Sequence, residues 1–281
     1  MGNNTAAETS APQLAAEDSR QNALREAFVE MLFALAVAQV AIHAADLVKV
    51  SSSLGAKMPA FAHLFLALML IAASWVGWRG SRSPGMQRDV ESIFSIAFIG
   101  LLVDVFLVVI YFIIVRQVDI EQKGDSPVLL PPSAVPEALL LLVVFVVYAV
   151  WDLVTDVFSP GCIPHGLGAR AWISKTARLG LVSTIASDMC IFFIGVAYCI
   201  ARRTEHRHDS TQVVLIDVAL LLMIFFFRAI KAVENPLSRW FRITDCEAFR
   251  QPRAVHGNEI WLCIAILCIY GAALGVGMLG T

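Results

Sequence analysis

Apolar residues in this chain fall in blocks of about 20, separated by short polar stretches. That is the length at which an α-helix crosses a hydrocarbon core, at 1.5 Å per residue. Seven such blocks are legible, at about 28–48, 59–78, 93–115, 137–158, 179–201, 213–233 and 260–279. The pattern predicts an all-α fold, a polytopic membrane helical bundle of about seven transmembrane helices. Residues 1–17, rich in Ala, Thr, Asn and Glu, are expected to form an unstructured tail. Residues 18–281 form the helical transmembrane domain, with Asp18 or Ser19 capping a helix that continues into the first span.

The sixth block, QVVLIDVALLLMIFFFRAIKAVENP, is apolar enough to cross a bilayer yet carries Asp217, Arg228 and Lys231. At about 100° per residue, position 228 lies about 20° from 217, and 231 about 40° to the other side. The three charges therefore share one helix face. Charges within a span turn toward a bundle interior, a partner charge or water, so the other helices are expected to supply that environment.

Those helices carry polar residues of their own. The first block places Gln39, His43 and Asp46 at i, i+4 and i+7, which makes one stripe. Asp104 lies in the third block, Asp152 and Asp156 end the fourth, and Asp188 lies in the fifth. Depth sorts them into two layers. Arg79, Asp152, Asp156, Arg228 and Lys231 gather at one end as a structural charge cluster, with Arg228 expected to pair with Asp152 or Asp156. Gln39, His43, Asp46, Asp104, Asp188 and Asp217 lie deeper or toward the other end, with several carboxylates and no Lys or Arg among them. Unpaired carboxylates in a low dielectric take up protons or bind a cation. This second set is the candidate ion or proton path, to be tested first at Asp188 on the supposition that it lies in a water-accessible path with Asp104 nearby.

Lys and Arg in the connecting segments set the orientation. They number 13 on the side of the N-terminus and 7 on the other, so the N-terminus is expected in the cytoplasm. The loop 117–136, with four prolines and three acids, is expected to be external, extended and stiff. The loop 159–176 is rich in Gly and Pro and should turn sharply. The loop 234–258 mixes aromatic residues with arginines and suits an anionic membrane surface.

Composition agrees with a membrane location. Hydrophobic residues make up 58% of the chain and charged residues 16%, with a mean hydropathy of +0.72. The net charge of −2 gives no basis for nucleic-acid binding. The six cysteines form no CxxC pair. Cys162-x-x-His165 and His206-x-His208 are too sparse for a zinc site. His43 and His63 differ in expected depth, which argues against a haem between them. The last block has no lysine for a retinal Schiff base. Its Gly271-x-x-x-Gly275 fits close helix packing within or between subunits. No cofactor is expected.

Three functions are expected, in this order. The first is a channel or transporter for protons or a small cation. The second is a membrane sensor, partner or effector without transport, working through the loop 234–258. The third is an intramembrane enzyme acting on lipid, although no nucleophile or metal motif accompanies its His and Asp residues. The location expected is the cell membrane, or the inner membrane if the source is bacterial.

Overall fold

The computed structural model describes the backbone of residues 10–80, 96–123, 126–153, 169–207 and 209–240. Six long helices account for most of it: α1 (Ser10–Lys49), α2 (Leu54–Gly80), α3 (Ile96–Arg116), α4 (Val135–Asp152), α5 (Ala169–Thr204) and α6 (Ser210–Trp240). Each contains a stretch long and apolar enough to cross a membrane. These stretches correspond to the first six blocks of the sequence. The seventh block, with Gly271 and Gly275, lies outside the described residues, as do Asp156, Cys162, His165 and most of the loop 234–258.

Several helices run past the expected spans because hydropathy marks the apolar stretch rather than the helix. α1 begins at Ser10, inside the segment expected to be unstructured. α5 begins at Ala169, inside the loop 159–176, and α6 continues to Trp240.

The loop 117–136 is also more ordered than its prolines suggest. Strands β1 (Ile120–Lys123) and β2 (Ser126–Leu129) pair antiparallel, with Ile120 opposite Leu129 and Lys123 opposite Ser126. Pro127 faces Gln122 on a two-stranded ribbon, where both strands are edges and a missing N–H is tolerated. This hairpin marks one end of the bundle, and Lys231 marks the other.

Following the closest packing around the bundle, the helices run α1, α3, α4, α5, α6, α2 and back to α1. α2 also touches α3. Ala60, Ala62 and Ala67 on α2 are buried, and their small side chains let its neighbours approach closely. α1 buries Val29, Phe33, Ala36, Val40 and Leu47 at helical spacing, and its other side is uncovered by the described residues. Large apolar side chains such as Ile42, Phe192 and Leu215 point away from the bundle. An apolar exterior of this kind suits a lipid solvent.

Candidate functional site

At the hairpin end, three helices converge on His63. Its Nε2 lies 2.7 Å from the carbonyl oxygen of Ile114, and its Nδ1 lies 2.6 Å from Glu137 Oε1. The geometry follows from where each residue sits. Ile114 is in the last turn of α3, where carbonyls lack a full set of helical partners. Glu137 is in the first turn of α4, where the helix dipole suits a carboxylate. His63 reaches both from α2. A carbonyl only accepts, so Nε2 carries a hydrogen and donates it to Ile114. The contact to Glu137 then holds one proton, either as Nδ1–H donating to a carboxylate or as a carboxyl O–H donating to Nδ1. In both forms the pair is neutral overall. Both side chains are 1% exposed.

Asp217, on the buried face of α6 with Val214 and Leu221, is 0% exposed. Neither of its carboxyl oxygens has a hydrogen-bond partner among the described residues, and Glu137 Oε2 also lacks one. Asp217 lies within electrostatic reach of Glu137, His63 and Asp119. Because the His63–Glu137 pair is already neutral with one proton, it offers no net charge to balance Asp217. Neutrality among the three groups takes two exchangeable protons.

Asp119 stands above this site, in the turn between α3 and β1. Its Oδ2 accepts the backbone N–H of Ser133 at 3.2 Å, and its backbone carbonyl accepts the N–H of Leu130 at 3.0 Å. These bonds tie the base of the hairpin to the entry of α4. Burial, followed by the nearby Glu137 carboxylate, pushes the Asp119 carboxyl up to about 7.

At the opposite end the described residues include a buried ion pair. Lys231 Nζ lies 2.9 Å from Asp152 Oδ2 and donates to the Ser183 carbonyl at 3.1 Å. Ser187 Oγ donates to Asp152 Oδ2 at 3.1 Å, and Ser183 Oγ to the Asp152 carbonyl at 3.1 Å. One turn away, Tyr148 meets Ser74 and lies 2.9 Å from the Tyr111 hydroxyl. Trp78 Nε1 donates to Asp104 Oδ2 at 3.2 Å.

Glu137 and Tyr148 are separated by about 16 Å along α4, at 1.5 Å per residue. The buried residues between them on that helix are Ala138, Leu141, Val144 and Phe145. Leu66 and Leu70 of α2 and Leu220, Leu221 and Ile224 of α6 are buried at similar heights. Two polar layers thus flank an apolar middle.

The structure redistributes the residues expected from sequence. Asp217 and Lys231 are buried on the inner face of α6 as anticipated, and Arg228 is half-buried. Arg228 places its guanidinium against Gly77, so that a Cβ built there would lie 3.2 Å from Nη1. Asp152 pairs with Lys231, one turn beyond Arg228, while Asp156, the other expected partner of Arg228, lies outside the described residues. Arg79 lies over Trp75, 5.2 Å from the ring centroid. On α1, Gln39 Nε2 and His43 Nε2 are 2.9 Å apart, and Asp46 pairs with Lys49 at 3.1 Å. Both pairs are local to that helix, on its flank.

The structure does not bring Asp104 and Asp188 together. Asp188 is exposed and is held within its own helix by Thr184 Oγ1 at 2.8 Å. Asp104 is buried on α3, whose main neighbours are α1, α2 and α4, whereas α5 packs on α4 and α6. Similar depth does not bring two residues together when their helices are not neighbours.

His63, Glu137 and Asp119 were missed as site residues because each stands near the edge of an apolar block, where a polar residue looks like the boundary of a span. Both ring nitrogens of His63 are engaged, which removes it as a haem ligand in this arrangement. No group of three or more His, Cys, Asp or Glu side chains suited to a metal ion occurs among the described residues. Comparison with protein-family models, curated proteins and solved structures gave no match.

Proposed function

We propose that this chain is a polytopic membrane protein that moves protons, or a small cation in exchange for them. Its N-terminus is cytoplasmic, block 260–279 forms a seventh span, and the membrane is the cell membrane. The observation that carries the transport reading is Asp217. It is a fully buried carboxylate with both oxygens unpartnered among the described residues, beside a His–Glu pair that is already neutral. Such a group takes up a proton or a cation and gives it back when its surroundings change.

The apolar middle favours a transporter over an open channel. With Leu141, Val144 and Phe145 buried between the two polar layers, the described residues offer a proton bound at the hairpin end no polar route to the Lys231 end in this conformation. Movement then depends on a rearrangement that exposes the site to the other side. Reconstitution in liposomes tests this reading, with proton and potassium flux followed from about pH 5 to about pH 8. Proton flux that responds to an imposed pH gradient or voltage is the expected result. Wild-type protein that is folded and passes neither ion under any gradient overturns it.

A further inference from the structure

We propose that Asp119 is the proton-exchange residue of the buried site, through which His63, Glu137 and Asp217 trade protons with water on the hairpin side. This rests on the transport reading only in supposing that the buried site changes its proton content.

Four titratable groups act on one another here: His63 from α2, Glu137 from α4, Asp217 from α6 and Asp119 from the turn after α3. The first three are sealed from solvent, whereas Asp119 is only half-buried. It is the member of the set that is partly exposed while lying within electrostatic reach of the buried groups. Its position is fixed by backbone, since Ser133 N–H donates to Oδ2 and Leu130 N–H donates to its carbonyl. That leaves Oδ1 to carry the exchangeable proton.

The direction of its titration suits the task. A carboxyl pushed up to about 7 by burial and by Glu137 is divided between its two forms near neutral pH. It can therefore give a proton and take one with little bias. Glu137 is the natural next stop: it sits in the first turn of α4, one turn beyond the Ser133 N–H that Asp119 accepts, and its Oε2 is unpartnered among the described residues. The step is a proton transfer alone: the Asp119 O–H bond breaks and an O–H bond forms at Glu137, with Asp119 reloaded from water.

The test uses the full chain in lipid nanodiscs. Proton uptake by the buried carboxyls is followed after a pH jump through their infrared bands, assigned with D217N. D119N keeps an amide oxygen to accept Ser133 N–H but cannot ionise. It should slow uptake on the order of tenfold or more, as loss of a positioned proton donor does. D119E should restore much of the rate, which a merely structural role would not explain. Unchanged uptake in D119N overturns the proposal, as does equal slowing in D119N and D119E. Flux measured on the same proteins separates the two claims. Slow uptake in D119N with no flux in wild type keeps the exchange role and rejects transport. Normal uptake in D119N with wild-type flux does the reverse.

Discussion

His63 and Glu137 meet at 2.6 Å across the interior of the bundle, although 74 positions separate them in sequence. The Ile114 carbonyl fixes the far nitrogen of the ring, so this contact holds one proton between two buried groups. Glu137→Ala leaves the histidine without its acid partner and should cost about 3–5 kcal/mol, as removal of one member of a buried pair does. A double change to apolar residues of similar size should recover part of this. Thermal unfolding of the two variants in the same detergent checks it.

At the other end Asp152 pairs with Lys231. Lys231→Ala should destabilise by about 3–5 kcal/mol, because Asp152 is buried and the Ser183 carbonyl also loses a donor. Arg228→Ala should cost less, since that guanidinium lies half-buried against Gly77 and can snorkel toward the headgroups. Comparing the yields and unfolding midpoints of the two alanine variants tests the assignment. Equal loss in both would return Arg228 to the pair.

The pH dependence of stability has a definite sign at Asp119. Its folded carboxyl titrates near 7, above the ordinary carboxylate value of about 3.9. The folded state therefore binds the proton more tightly than the unfolded state does. Its contribution to stability is fully present below about pH 4 and is lost as pH rises toward 7. Asp119→Asn should flatten that part of the profile and be the more stable protein at pH 8. With allowance for its partial exposure, the gain should be on the order of 1–2 kcal/mol. Unfolding midpoints across this range measure it.

Phe145 is fully buried in the apolar middle, edge-on to Tyr148 and to Phe227. Phe145→Ala should cost about 3–5 kcal/mol through the cavity it leaves. If this layer is what separates the two polar ends, the variant should also leak protons without a coupled substrate. A folded Phe145→Ala protein as tight as wild type would place the barrier elsewhere.

Much of this architecture was legible in the sequence, and the rest was not for identifiable reasons. The six described spans followed from hydropathy, because lipid demands long apolar runs. The inner face of α6 followed from the helical period of Asp217 and Lys231. The pairing of Asp152 with Lys231 did not follow. Arg228 and Lys231 point the same way on a helix wheel, and only the height of Asp152 decides between them. Asp104 and Asp188 share a depth but sit on helices that are not packed neighbours. Glu137 and His63 stand near the ends of their blocks, and hydropathy treats such residues as punctuation. The hairpin had one local signal, the Gly124-Asp125 dipeptide between the strand sequences, a hairpin type that the surrounding prolines obscured.

The most direct measurement of the central claim compares Asp217→Asn with Asp188→Asn. Both changes remove a charge with almost no change of shape, one inside the sealed site and one on an exposed helix face. Both proteins would be reconstituted in liposomes, and proton flux followed under a clamped potential. The account predicts that Asp217→Asn folds normally and carries no proton flux, while Asp188→Asn retains most of it. Flux that survives in Asp217→Asn and disappears in Asp188→Asn would contradict the account and move the path to the outer face of α5.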